Sequence, residues 1–457
     1  MKPLSPMDLT FLFAERRNQP MHVGGLQLIT PPPDAPPDFV QRIAERIRNP
    51  AVVVAPFNQR LVRRFGAWFW TEDTDFDLEA HVRVLALARP GRIRELLALV
   101  SQLHSNHLDR ARPLWEYYII DGVENGRVAV YVKIHHALVD GVAAMRMLMK
   151  SMSENPLARQ LPPIWAKPLH DSVDAGGEAR AARPSPAAVL AQLAQAAREQ
   201  IGGLPLVLRE LYRTAQEARS SGALANSFLA PRSILNQRIS ASRRFAAQSY
   251  SLDRIRTVGK LRAATVNDVV LAMCASALRK YLLELDALPD QSLVAMVPIS
   301  MRRDDTATGN QVAMLLARLG TQLSDPLERL QTIQRSVQAS KDRYAKMTPA
   351  QILSYAGMLT APSNISVATG FAPHFQAYNL TISNVPGPKK PLYWNGARME
   401  GTYPVSIVAD GQAMNITLNS YADKMEFGIT ACRRALPHIQ RLLDYLEQGL
   451  GELEAAA

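Results

Sequence analysis

The sequence has only two cysteines in 457 residues, Cys274 and Cys432. They form no CxxC and no framework of bridges, so the chain reads as one suited to a reducing compartment. No uninterrupted apolar run approaches the roughly 18–20 residues of a membrane-crossing helix. The opening stretch, MKPLSPMDLTFLFAERRNQP, meets Asp8 and Glu15 too early for the apolar core of a secretory leader. The expectation is a chain made and kept in the cytoplasm. Acidic residues are the scarcer charge: 41 Asp and Glu against 52 Lys and Arg, a formal charge of +11. That excess favours anionic partners. Nucleic acid is not expected, because neither zinc-finger spacing nor an RNP-like aromatic motif accompanies the charge. Anionic lipid surfaces and a phosphate-bearing cofactor remain. The pairs Arg63-Arg64, Arg243-Arg244, Arg302-Arg303 and Lys389-Lys390 are scattered, and solvated surface is the ordinary reading of each.

Several catalytic signatures are also missing. There is no H-E-x-x-H zinc helix, no G-x-S-x-G elbow, no Walker A loop and no G-x-G-x-x-G turn, which argues against metalloprotease, serine-hydrolase, phosphoryl and hydride chemistry. What is present is a globular composition, 47% apolar and 20% charged, long enough for two domains. VGGLQLI reads as a strand and RIRELLALVSQLHSNHL as a helix. WEYYIIDGVENGRVAVYVKI reads as a hairpin around a turn containing Gly and Asn. From Asp140 onward, DGVAAMRMLMKSM reads as a helix. Residues 155–186, rich in Pro, Ala and charge, form the best linker candidate, with a broken helical segment at about 187–220. After it TVNDVVLAMCASALRKYLLEL reads as a helix, SLVAMVPIS and AYNLTISNV as strands, AMNITLNSYADKMEFGIT as a hairpin, and LPHIQRLLDYLEQGLGELE as a closing amphipathic helix. The class is α+β, with two halves alike in kind.

The stretch VKIHHALVDGVAAM places His135 and His136 where an apolar strand stops. Neighbours on a strand face opposite sides, so if the strand persists through the pair the two rings cannot share one pocket. Joint metal binding is therefore disfavoured. A single imidazole acting as base remains, since a neutral ring can accept a proton from a hydroxyl. Asp140 could orient a ring nitrogen or brace the turn through an Arg, and Gly141 would give the backbone room to turn sharply. A satisfied structural histidine beside a helix-capping Asp stays open as the alternative.

HHALVDG has the His-His-x-x-x-Asp-Gly form of the CoA-dependent acyltransferase superfamily, which includes chloramphenicol acetyltransferases and condensation domains. With LSPMDLTFLF, PMHVGGL, RPLWE, TVNDVV, GNQV and ISNVPGP, running from residue 4 to residue 388, the chain resembles the bacterial wax ester synthase/acyl-CoA:diacylglycerol acyltransferase family. LYWNGARMEGTYPVS follows these signatures. The resemblance implies two chloramphenicol-acetyltransferase-like domains, with mixed sheets flanked by helices and a tunnel at their interface. The expected division is 1–154, a connecting part 155–238 that carries none of these signatures, and 239–457.

The same resemblance implies His136 as general base, His135 turned inward in support, and Asp140 holding the motif's shape. Acyl-CoA would be co-substrate with no bound cofactor, entering opposite a long-chain alcohol or diacylglycerol. Acyl transfer would be direct, without an acyl-enzyme, at a membrane or lipid-inclusion surface on the cytoplasmic side. An amine or polyketide-hydroxyl acyltransferase, or a non-catalytic lipid-surface protein, are the rival readings.

The other marked positions carry lesser expectations. Thr265 and Asp268 read as a capping box, while Asn267 beside them is a site candidate at a helix N-terminus. Ser383 and Asn384 either brace a turn, or line the acyl tunnel or donate to the thioester oxygen. Pro113, Leu114 and Trp115 start a strand and fill core. Asn310 is left open, His22 reads as a core histidine, and His104 and His107 as ordinary helix residues.

Overall fold

A computed structural model describes residues 2–48, 53–64, 66–139, 141–166, 230–300, 312–348 and 376–456, with 351, 352, 354, 355 and 357. The first half runs β1 (Lys2–Pro3), α1 (Pro6–Ala14), β2 (His22–Thr30), α2 (Phe39–Arg48), β3 (Gln59–Arg64), β4 (Ala67–Glu72), α3 (Leu78–His81), β5 (Val82–Ala86), α4 (Ile93–Ser105), β6 (Trp115–Val123), β7 (Arg127–His135) and α5 (Gly141–Lys150). The second half adds β8 (Arg243–Ser251), α6 (Leu252–Leu261), α7 (Val266–Glu284), β9 (Val294–Ser300), β10 (Val312–Arg318) and α8 (Pro326–Tyr344). It closes with β11 (Leu380–Val385), β12 (Tyr393–Trp394), β13 (Ala397–Val405), β14 (Met414–Tyr421), β15 (Lys424–Cys432) and α9 (Arg441–Ala455).

Local chemistry sets the elements that matter most. Ser5 and Asp8 form a capping box that starts α1, with Pro6 in its first turn. The β6–β7 hairpin turns on Asn125 and Gly126, at φ of 62° and 66°, the left-handed pair that a tight hairpin requires. On β7 the even positions Val128, Val130, Val132 and Ile134 pack into one core, while Ala129 and Tyr131 pack into another. Both faces of this strand are therefore covered.

Two six-stranded sheets result, β12-β13-β2-β7-β6-β5 and β10-β9-β11-β14-β15-β8, beside a small sheet β1-β4-β3. Parallel pairs, β5 with β6 and β11 with both β9 and β14, make both large sheets mixed. The first sheet is completed from far along the chain, because β13 lies antiparallel to β2, from Arg398 opposite Thr30 to Val405 opposite Gly24. This strand also lies against the second sheet. A Cβ on Gly428 of β15 would stand 1.9 Å from the Pro404 carbonyl oxygen, so glycine permits the contact. At the edge of that sheet, the hydroxyls of Ser101 and Ser105 on α4 accept from the backbone N–H groups of Phe245 and Arg243, both at 2.9 Å. An exposed strand edge is thereby satisfied by a helix of the other half.

On its opposite face the second sheet buries Ile416, Leu418, Ile382 and Phe427 against α7. Among the described residues no single helix is long and apolar enough to cross a membrane. The pair α6–α7 meets that test by length and composition across a 103° bend, but α7 is the buried core helix of this half. The expected linker is packed where it is described: Trp165 is fully buried and stacks on Trp115 at 5.3 Å. The helical segment expected at about 187–220 lies outside the described residues.

Candidate functional site

Strand β7 ends on His135, not His136, so the alternation expected through the pair stops one residue early. The cause is local: Leu138 donates to the His135 carbonyl at 2.9 Å, closing a turn that carries His136 out of the ladder. His135, on the same side as Tyr131 and Lys133, is fully buried. Its Nδ1 accepts from the Ala137 N–H at 3.1 Å, which leaves the neutral ring's proton on Nε2. That atom faces Glu15 Oε1 at 3.6 Å, longer than a hydrogen bond yet close enough for charge to orient the ring.

Glu15, at the end of α1, is the residue that sequence reasoning missed. Its side chain is only 4% exposed and accepts from Arg110 Nη2 at 2.7 Å and from the Met21 N–H at 3.2 Å. Burial alone would raise its pKa, but His135, Arg110 and the Met21 N–H outweigh burial and hold it at about 2. The same loop fixes the second histidine. The His136 N–H donates to the Met21 carbonyl at 2.9 Å, and its half-buried ring stacks on Phe11 with centroids 4.0 Å apart. One segment, residues 11–21, therefore holds both imidazoles.

A cavity of about 100 Å³ opens between the sheets beside this turn. Ile134, just before the histidines, and Gly141, just after them, line it. Its walls are largely apolar, from Val23, Val132, Ala144, Met145 and Leu148, with Gln27, Ser406, Thr417 and Asn419 as the polar exceptions. The hydroxyls of Ser406 and Thr417 lie 2.6 Å apart. A largely apolar cavity with a few placed polar groups suits an aliphatic substrate; neither His135 nor His136 is among the residues that line it.

Asp140 and Asn310 lie outside the described residues. Gly141 begins α5 at an ordinary φ, and a Cβ there would meet nothing within 4 Å. The turn therefore does not need glycine for room, contrary to expectation; glycine keeps this wall of the cavity bare. Thr265 and Asp268 form a capping box on α7, and Asn267, in its first turn, is not among the residues that line the cavity. Ser383 pairs in register with Thr417, which lines the cavity, so Ser383 lies on the cavity face and Asn384 on the face of Ile382. The adjacent pair cannot act together.

Pro113 and Leu114 are buried at the start of β6, and Trp115 donates from Nε1 to the Phe57 carbonyl at 2.8 Å. His22 is buried and bonds the His104 carbonyl at 2.9 Å. His104 is not an ordinary helix residue. It is 2% exposed, and its ring bonds Tyr131 Oη at 2.8 Å and the Ser406 carbonyl at 3.1 Å, linking the two halves. Burial pushes its pKa down to about 3, so the ring is neutral. Exposed His107 lies 3.4 Å from Glu15 Oε1. No cluster of three metal-ligating side chains occurs among the described residues.

Residues 4–270 match the family described as wax ester synthase/diacylglycerol acyltransferase catalytic domain, and residues 308–454 match the WS/DGAT C-terminal domain. The O-acyltransferase WSD of Acinetobacter baylyi is 48% identical over 450 residues, covering 98% of this chain and 96% of that protein. Among solved structures, the wax ester synthase/diacylglycerol acyltransferase of Marinobacter aquaeolei VT8 superposes with a TM-score of 0.81 at 47% identity, covering 100% of this chain and 99% of its own. The starter condensation domain of rhizomide synthetase, solved with C8-CoA and Leu-SNAC, shares the fold at a TM-score of 0.57 and 14% identity, over 100% of this chain and 94% of that one.

Proposed function

The chain belongs to the wax ester synthase/diacylglycerol acyltransferase family, and from that premise we propose that His136 is the general base of an acyl-CoA-dependent O-acyltransferase. The enzyme moves a fatty acyl group from acyl-CoA to the hydroxyl of a long-chain alcohol, of diacylglycerol, or of both. His136 takes the hydroxyl proton as the oxygen attacks the thioester carbonyl. The new C–O bond forms, the C–S bond breaks, and the imidazolium returns its proton to the departing thiolate. A thiol with an ordinary pKa near 8.5 leaves with little help, so no acyl-enzyme is invoked. The developing oxyanion needs donors placed in advance; Thr417 already donates to Asn415 Oδ1 at 2.8 Å, so the Ser406 hydroxyl, turned from its contact with Thr417, is the candidate in the cavity. Ser383, on the same face, is a further candidate.

In this reading His135 and Glu15 position the turn, and Asp140 holds the motif's shape. Residues 1–154 form one acyltransferase-like domain and 239–457 the other, joined by 155–238, with the substrate passage between them. Acyl-CoA enters one mouth and the apolar acceptor the other, without a resident cofactor. We place the protein at the cytoplasmic face of a membrane or on lipid inclusions, held peripherally. The net charge of +11 and the 68% exposed Phe13, on the helix that carries Phe11, favour such contact.

The observation that carries the proposal is the setting of His136: released from β7 by a turn, fixed through Met21 and Phe11, and flanked by two residues that line the apolar cavity. CoA release across alcohols, diacylglycerol and amines tests it. His136→Ala should lower turnover by roughly 10²–10⁴ while the protein stays folded. Wild-type rates in that variant would refute the base assignment, and preference for amines would favour the rival acceptor class.

A further inference from the structure

The cavity holds polar atoms that the reaction does not use. Asn419 lines it, is fully buried, and neither its Nδ2 nor its Oδ1 has a partner. Gln27 also lines it and is fully buried; its Oε1 has no partner, and its Nε2 makes only a long 3.4 Å bond to Thr402 Oγ1. Glu426, paired in register with Asn419, is buried too. One of its carboxylate oxygens accepts from Ser249 Oγ, and the other has no partner. Buried amides are almost always hydrogen-bonded, so these side chains offer donors and acceptors to whatever enters the cavity.

The position of this cluster is legible from the strands. A Cβ on Gly25 would stand 2.9 Å from Gln27 Nε2, so the Gln27 amide folds back over Gly25. Gly25 pairs with Val132, four residues before His136. At about 3.3 Å per residue the amide lies about 13 Å along the strand from the histidine. Asn419 offers both a donor and an acceptor, and Gln27 adds an acceptor. An ester group accepts but cannot donate, and a plain alkyl chain does neither. A hydroxyl does both in little space.

We propose that Asn419 and Gln27 form a hydroxyl-binding subsite in the chain passage, so that the enzyme takes long aliphatic substrates carrying a second hydroxyl remote from the reacting group. This deepens the acyltransferase reading and rests on it. The hydroxylated chain can arrive as acceptor or as acyl donor, and two arms separate these. In one, a plain acyl-CoA is paired with long-chain diols whose second hydroxyl is moved stepwise along the chain. In the other, hydroxyacyl-CoAs with the same series of positions are paired with a plain alcohol.

In one arm the wild-type protein should show a single hydroxyl position at which kcat/KM exceeds that of its neighbours by about tenfold. The gain should lie mainly in KM, because the contact is distant from the bonds that change. Asn419→Leu should flatten that maximum, and Gln27→Met should do the same should the first variant unfold. A smooth decline with hydroxyl position in wild type, or a maximum unaltered by both substitutions, would overturn the subsite. So would an equal rise in acyl-CoA KM for every chain, which would assign the cluster to the CoA arm, or a maximum for an ester instead of a hydroxyl. Absence of CoA release with every acceptor would instead refute the acyltransferase reading itself.

Discussion

Glu15→Gln separates charge from shape at the histidine turn. The glutamine keeps the side chain's outline and one acceptor for Arg110, but removes the charge facing His135 Nε2 at 3.6 Å. Native Glu15 titrates at about 2 against an ordinary 4.5. At about 1.36 kcal/mol per pKa unit, that difference sets a ceiling near 3 kcal/mol on what the charge adds to stability. The half-exposed Arg110 and the hydrogen bond retained by glutamine reduce the expected loss to about 1–2 kcal/mol. The sign follows from a folded-state pKa below the unfolded one. The contribution is complete above 4.5 and disappears as pH falls from 4.5 toward 2. Urea unfolding of both proteins should therefore give a gap that is full at neutral pH and narrows below 4.5. Turnover at neutral pH should fall by up to about 10²-fold, since small misplacements of a base are costly. Parallel stability curves down to pH 3, or unchanged turnover, would refute the positioning role.

Three further outcomes follow from neighbouring groups. Burial pushes Glu426 up to about 7, so its favourable contribution is complete below 4.5 and lost as pH rises toward 7. Glu426→Gln should match wild type near pH 4 and be more stable by up to about 3 kcal/mol at pH 8, read by urea unfolding; equal stability at pH 8 would argue against a buried carboxyl. Gly141→Ala should leave the melting temperature unchanged because its Cβ meets nothing. Gly141→Leu should fold but lose activity on the longest chains first, as read by CoA release across chain lengths. Gly428→Ala would drive a Cβ into the Pro404 carbonyl at 1.9 Å, so the melting temperature should drop by several degrees. An unchanged melting temperature would mean β13 does not need this close approach.

Sequence periodicity reaches the elements but not what covers them. The run on β7 is apolar on both faces, which announces a strand buried from two sides and places His135 inward. The composition of α7 likewise announces a core helix. Glu15 registers in the sequence only as an acid that interrupts an apolar opening, since its partner His135 stands 120 positions away. His104 carried a usable signal. It follows Leu97, Val100 and Ser101 at helical spacing, on the buried stripe of α4, where an imidazole must find partners.

The second hairpin is more instructive. In MNITLNSY the apolar Ile416 and Leu418 alternate with Thr417 and Asn419, the pattern of a strand with one face in water. That face is instead covered, because β13 crosses to complete the other sheet and lies over it. Polar residues left by an apparently solvated face then become buried at the seam between the sheets. Alternation cannot distinguish water from such a polar seam, since both ask for the same residues. The distinction lies in the long-range pairing of residues 398–405 with 24–30, which no local pattern encodes. In this fold the polar side of a half-apolar strand is therefore where specificity toward a largely apolar substrate can be written.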